Sequence, residues 1–130
     1  MKNTDGEFNT LHAGLGAKGY DVVAYFTHGQ PTPGSDSYTA EYGGVKWQFA
    51  TRENRDLFKA DPARYAPQYG GFCSWGVAQG KLFDVDPANG WKVVDGKLYL
   101  NFNADINGTF ARDAHGFIAK AERHWPALNR

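Results

Sequence analysis

The sequence predicts an α+β fold: a single compact domain in which a small antiparallel sheet of hairpins packs with short helices and a C-terminal helix. Three observations predict it. Alternating apolar residues flank glycine turns at Gly43-Gly44 and Asp95-Gly96, the pattern of β-hairpins. Apolar residues recur at helical spacing from Ile106 to Trp125. No internal repeat, low-complexity tract or linker divides the 130 residues, a length that suits one core.

Residues 1–18 carry few large apolar groups and are expected to form a flexible N-terminal arm, loose unless it lies against the domain, which is set at 19–130. DVVAYF at 21–26 has the β-branched and aromatic residues of a strand, and GQPTPGS turns the chain. Tyr38, Ala40 and Tyr42 then share one face and Val45, Trp47 and Phe49 another, across the Gly43-Gly44 turn. Thr51 is placed to cap a helix with Leu57 and Phe58 facing inward, and Asp61-Pro62 stops it and starts a second short turn. FCSWGVAQGK reads as a helix after Gly70-Gly71, and WKVVDGKLYLNF as a second hairpin. In the terminal helix Ile106, Phe110, Phe117, Ala121 and Trp125 share one side, and Pro126 should end it.

Composition excludes several function classes. Lys plus Arg and Asp plus Glu stand at 14 each, so no net field draws nucleic acid or an anionic membrane. No window approaches a membrane span, and the opening residues lack the apolar core of a secretion signal. Four Trp, seven Tyr and nine Phe imply a rigid aromatic core. A Gly-rich phosphate loop, HExxH and GxSxG are all missing, and an enzyme is the less favoured reading.

One cysteine makes an internal disulfide impossible. Cys73 lies in YGGFCSWGVAQGK near a predicted helix start, where free N–H groups and the helix dipole favour a thiolate. It is equally readable as a small buried hydrophobe among Phe72, Trp75 and Val77. His124 falls near the face of Ile106 and Phe117 and is expected inward, whereas His115 points away; Cys73 with His124 could then bind Cu(I) or Zn(II). His12 and His28 fall in loop or arm. Asp84 and Asp86 alternate and could hold a hard cation or face water. A second reading needs no metal: Tyr65, Tyr69 and Trp75 combine apolar faces with polar edges and could bind a small molecule or another protein.

GYDVVAYF, YGGVKWQFAT, LFKADPARYAPQYGGFCSWGVAQGK and WKVVDGKLYLNF, taken in order, resemble the YHS-domain family over most of residues 19–126. The resemblance is to the longer stand-alone bacterial type, in which the segment around Cys73 is characteristic. It implies copper or zinc binding and a periplasmic or secreted protein. The compact modules of the family carry cysteines where this chain has Ala24, Ala50 and Asn54, and their metal site is therefore not inherited. Trp47, Gln48 and Thr51 stand where Tyr, His and Ser would give the family its name. Cys73 alone carries the metal expectation, with His124 as a second ligand.

Overall fold

The computed structural model describes residues 8–10 and 14–129. Its elements run α1 (Ala24–Thr27), β1 (Ser35–Tyr42), β2 (Val45–Phe49), α2 (Arg52–Ala60), α3 (Pro62–Tyr65), α4 (Ser74–Ala78), β3 (Trp91–Val94), β4 (Lys97–Leu100), α5 (Ala104–Arg112) and α6 (Ala114–Leu128). The α+β class stands. The hairpins form two separate two-stranded sheets rather than one. In the first, Ala40 pairs Trp47 and Tyr42 pairs Val45; in the second, Trp91 pairs Leu100 and Val93 pairs Leu98.

Each hairpin follows from its turn. Gly43 and Gly44 both have positive φ, as do Asp95 and Gly96, which is the backbone a two-residue loop between twisted strands requires. Alternation then sorts the side chains: Val45, Trp47 and Phe49 are buried, and Lys46 between them is exposed. In β4 both faces are covered. Leu98 and Leu100 enter a core with Val22, Val23, Trp47, Phe49 and Phe58, while Tyr99 enters a second with Phe72, Val77, Phe110 and Ala121. This strand is therefore the partition between two apolar clusters.

Four expectations are corrected. Residues 21–26 form a turn and the short α1 instead of a strand, because Asp21 Oδ1 accepts the N–H groups of Val23 at 2.9 Å and Ala24 at 3.1 Å. That local bonding competes with extended backbone and starts a helix. Leu57 is 42 % exposed: Asn54 and Phe58, four apart, define the buried stripe of α2, and Leu57 sits about 100° round from Phe58. The Thr51 cap holds, its Oγ1 accepting the Asn54 N–H at 3.1 Å. Pro126 lies inside α6, where only the last turn follows it and a single hydrogen bond is forfeited. The terminal helix is also two helices, broken at Asp113, whose carboxylate caps α6 through the Gly116 N–H.

The described parts of residues 1–18 lie against the domain. Phe8 is buried with its ring 5.3 Å from that of Trp47 and 5.8 Å from that of Tyr42, and Ala17 joins the same core. One large apolar side chain anchors this segment, whatever its polar composition. Among the described residues no helix is long and apolar enough to cross a membrane.

Asp21 is wholly buried. Besides the two N–H groups of its own turn, its Oδ2 accepts from Ala50 N at 2.9 Å and Asn54 Nδ2 at 2.8 Å. One carboxylate thus ties α1 to the end of β2 and to α2. Asp21→Ala should lower stability by roughly 3–5 kcal/mol in urea unfolding, because each stranded buried donor costs about 1–3 kcal/mol. Asp21→Asn, which keeps one acceptor oxygen, should lose less.

Candidate functional site

The segment from Gly70 to Phe83 builds the back of an apolar cleft. Cys73 is the N-cap of α4: its Sγ accepts the Gly76 N–H at 3.4 Å, as a Ser or Asp oxygen would at other helices. Its own N–H donates to the carbonyl of Phe83 at 3.0 Å, folding the chain after α4 back onto the helix. Gly76 permits the close approach, since a Cβ there would lie 2.6 Å from Phe83 Cδ2. The Phe83 ring stacks on Trp75, centroids 6.3 Å apart and planes 18° from parallel.

Phe102, Asn103 and Ile106 complete the walls, enclosing about 280 Å³ with Trp75 and Phe83. Phe102 sits 6.4 Å from Phe83 and is 50 % exposed, one of two large apolar residues so exposed among those described. Asn101, fully buried, sets these walls in place. Its Oδ1 accepts the Trp75 N–H at 3.0 Å and faces Cys73 Sγ at 3.6 Å, while its Nδ2 donates to Asn107 Oδ1 at 2.9 Å. Asn107 Nδ2 in turn donates to the Trp91 carbonyl at 3.0 Å. A single carboxamide therefore joins α4, the end of β4 and α5.

The thiolate expectation for Cys73 is corrected. The side chain is 0 % exposed; burial pushes the thiol above its ordinary pKa, and nearby N–H groups of Gly76, Phe102 and Trp75 offset this only in part. The helix dipole of a five-residue helix does not compensate for lost water. His124 is exposed on α6, not inward. The buried stripe of α6 runs through Ala114 and Ala121; His124, three residues past Ala121, sits about 60° round from it, beyond the half-buried Phe117 at the stripe's edge. His115 is exposed beside Asp95 at 3.0 Å, His28 is exposed, and His12 lies outside the described residues.

The three aromatic candidates do not come together. Tyr65 is buried in the first core, edge-on to Phe26 at 5.4 Å. Tyr69 is buried in the second, its hydroxyl donating to Glu122 Oε2 at 2.7 Å; burial and that carboxylate hold the phenol well above its usual pKa. It borders a separate recess with Pro67 and Trp125. Only Trp75 lines the cleft. Asp84 and Asp86 belong to no cluster of three metal-ligating side chains among the described residues, and the Asp84 oxygens are taken by Lys18 at 2.8 Å and Asn9 at 2.9 Å; burial works against that carboxylate, but the hydrogen bonds from Lys18, Asn9 and Val85 outweigh it and keep its pKa low. Asp86 is held low by Asn89 and the N–H of Ala88.

Two wider depressions of about 390 Å³ are edged by charged groups, Arg52 and Glu53 in one, Lys18 and Asp86 in the other. Such rims retain water. The cleft carries no charged lining group and is the site best suited to an apolar ligand.

A model of the YHS domain matches residues 23–69, about a third of the chain. The match takes in α1, the first hairpin, α2 and α3, and stops before Cys73 and the cleft. No curated protein and no solved structure matches the chain. The positions at which the family resemblance would place thiolates, Ala24, Ala50 and Asn54, do gather in space. They gather around the carboxylate of Asp21, which takes a hydrogen bond from each. Neither that cluster nor Cys73 offers a metal donor set, and among the described residues no three His, Cys, Asp or Glu side chains converge on a point.

Phe83, Phe102, Asn103 and Asn101 escaped the sequence reading. Phe102 continues the alternation of Leu98 and Leu100 and so resembles a core residue; the strand ends at Leu100 and leaves the ring half out.

Two measurements check this site. Iodoacetamide should alkylate native Cys73 far more slowly than free cysteine at pH 8, with the rate rising only as urea opens the fold; an ordinary native rate would contradict the buried thiol. Because the folded thiol's pKa is raised, the stability tied to it is present below the ordinary thiol pKa of about 8.5 and is lost as pH climbs above it. Ser74 is fully buried with no hydrogen-bond partner for its Oγ among the described residues. Ser74→Ala should therefore leave stability unchanged or raise it by up to about 1 kcal/mol in thermal unfolding.

Proposed function

We propose that the protein is a ligand-binding module that holds a small apolar molecule in the cleft between Trp75, Phe83, Phe102 and Ile106. The observation that carries this is Phe102, half exposed on the rim of an uncharged aromatic recess. An apolar ring left in water is a standing free-energy cost, and covering it returns roughly 25 cal/mol per Å² of apolar surface removed from water. Beside the uncharged recess, that ring extends the apolar surface a ligand would cover.

The competing reading is a copper or zinc site centred on Cys73, in line with the metal handling associated with the YHS family at large. The donors argue against it. Metal binding at Cys73 requires a thiolate, and the sulfur is sealed from water, its thiol pKa pushed up by burial, and engaged as a helix cap. His124, the second ligand expected, stands in solvent on α6.

Titration of an apolar naphthyl probe, followed by Trp fluorescence, tests the cleft. Phe102→Ser should weaken binding about tenfold or more with little loss of stability, because the ring is already half solvated. Equal affinity for wild type and variant would remove the cleft from consideration. In competitive titrations with Cu(I) and Zn(II), wild type and Cys73→Ser should be indistinguishable; a clear loss in the variant would restore the metal reading.

A further inference from the structure

The chemistry of the cleft also restricts what can occupy it. We infer that its ligand is an uncharged aromatic compound of one or two rings bearing a single hydrogen-bond acceptor, which the side-chain amide nitrogen of Asn103 binds. This rests on the cleft reading above and adds the identity of the ligand class to it.

Three of the walls are aromatic, Trp75, Phe83 and Phe102, and two of these already stack on one another. Stacked and tilted faces reward a planar π surface beyond the area it buries. No charged side chain lines the recess, so an ionised ligand would surrender its hydration without an opposite charge in return. The volume, about 280 Å³, lies at the lower edge of the roughly 300–1,000 Å³ that ligand pockets span, which sets the scale at a ring or two rather than a long chain.

Asn103 supplies the remaining specificity. It caps α5, and its Oδ1 accepts the Ile106 N–H at 2.8 Å. That bond fixes which end of the carboxamide is oxygen. Nδ2 makes no hydrogen bond to a described residue; Asn103 is half-buried and borders the otherwise apolar recess, where the donor is open to water or to a ligand. A ligand carbonyl or ether oxygen satisfies it; a saturated hydrocarbon does not.

The test compares three probes of one shape on the intact chain: 2-acetylnaphthalene, 2-ethylnaphthalene and 2-naphthoate, with affinities from Trp fluorescence and from NMR line broadening. The acetyl compound should bind about 3–10 times more tightly than the ethyl compound, the value of one net hydrogen bond. Naphthoate should bind least. Asn103→Asp keeps an oxygen to cap Ile106 but presents no amide donor, and it should abolish the preference for the acetyl over the ethyl compound. Asn103→Ser, a second capping residue without the amide, should reduce the same preference if the Asp charge itself weakens all binding. Equal affinity of the two neutral probes for the wild type, or a preference that both variants retain, overturns the assignment to Asn103 while the cleft reading stands. Tightest binding of naphthoate overturns the uncharged class. Failure of all three probes to bind overturns the cleft reading along with this one.

Discussion

A carboxylate removed from water must find its solvation inside the protein, and the way Asp21 finds it organises the N-terminal half of the fold. Four N–H groups from three segments converge on its two oxygens. None of those donors could be buried at low cost without it, and the charge could not be buried without them. The turn into α1, the exit from β2 and the first turn of α2 are thereby held at one point. Phe49 and Phe58, which flank that point on β2 and α2, meet with ring centroids 5.0 Å apart. The aromatic core is positioned by a polar clamp.

The C-terminal half repeats the device with a neutral group. Asn101 is buried and uses both ends of its carboxamide, accepting from α4 and donating to α5. Its backbone joins as well, the N–H donating to the Gly90 carbonyl at 2.8 Å and the carbonyl accepting from Asp86 at 3.0 Å. Networks of this kind are rigid because breaking any member strands the others in a low-dielectric interior. The residue on each side of the network, Trp75 on α4 and Phe102 beside Asn101 itself, is a wall of the cleft. The recess is therefore held open by polar bonds beneath it and not by the apolar rings that line it.

Cys73 shows how a chemical label can mislead. A cysteine at a helix start is a candidate thiolate only while water or a cation reaches the sulfur. Here the segment between paired glycines and Phe83 closes over it, and the thiol serves as a cap and a small filler. The same closure is what brings Phe83 onto Trp75. The sulfur is buried as a helix cap, and its neighbours Trp75 and Phe83 line the recess.

The hairpins, the Thr51 cap and the α+β class were legible in the sequence because each depends on residues adjacent along the chain: two turn residues with positive φ, a hydroxyl three positions before an amide, alternation of period two. The strand expected at 21–26 is a turn because Asp21 accepts the N–H groups of Val23 and Ala24, and the burial that commits that carboxylate to the turn comes with partners about thirty positions away. His124 is misplaced because the buried stripe of α6 is centred on Ala114 and Ala121 and not on Phe117, and Phe102 goes unremarked because β4 ends at Leu100 and leaves its ring half out. What the chain alone determined is its local geometry and its aromatic content. Which sulfur is sealed, which ring is left in water and which carboxamide keeps a free donor were decided by tertiary packing, because burial and partner choice arise from segments that meet only once the chain has folded.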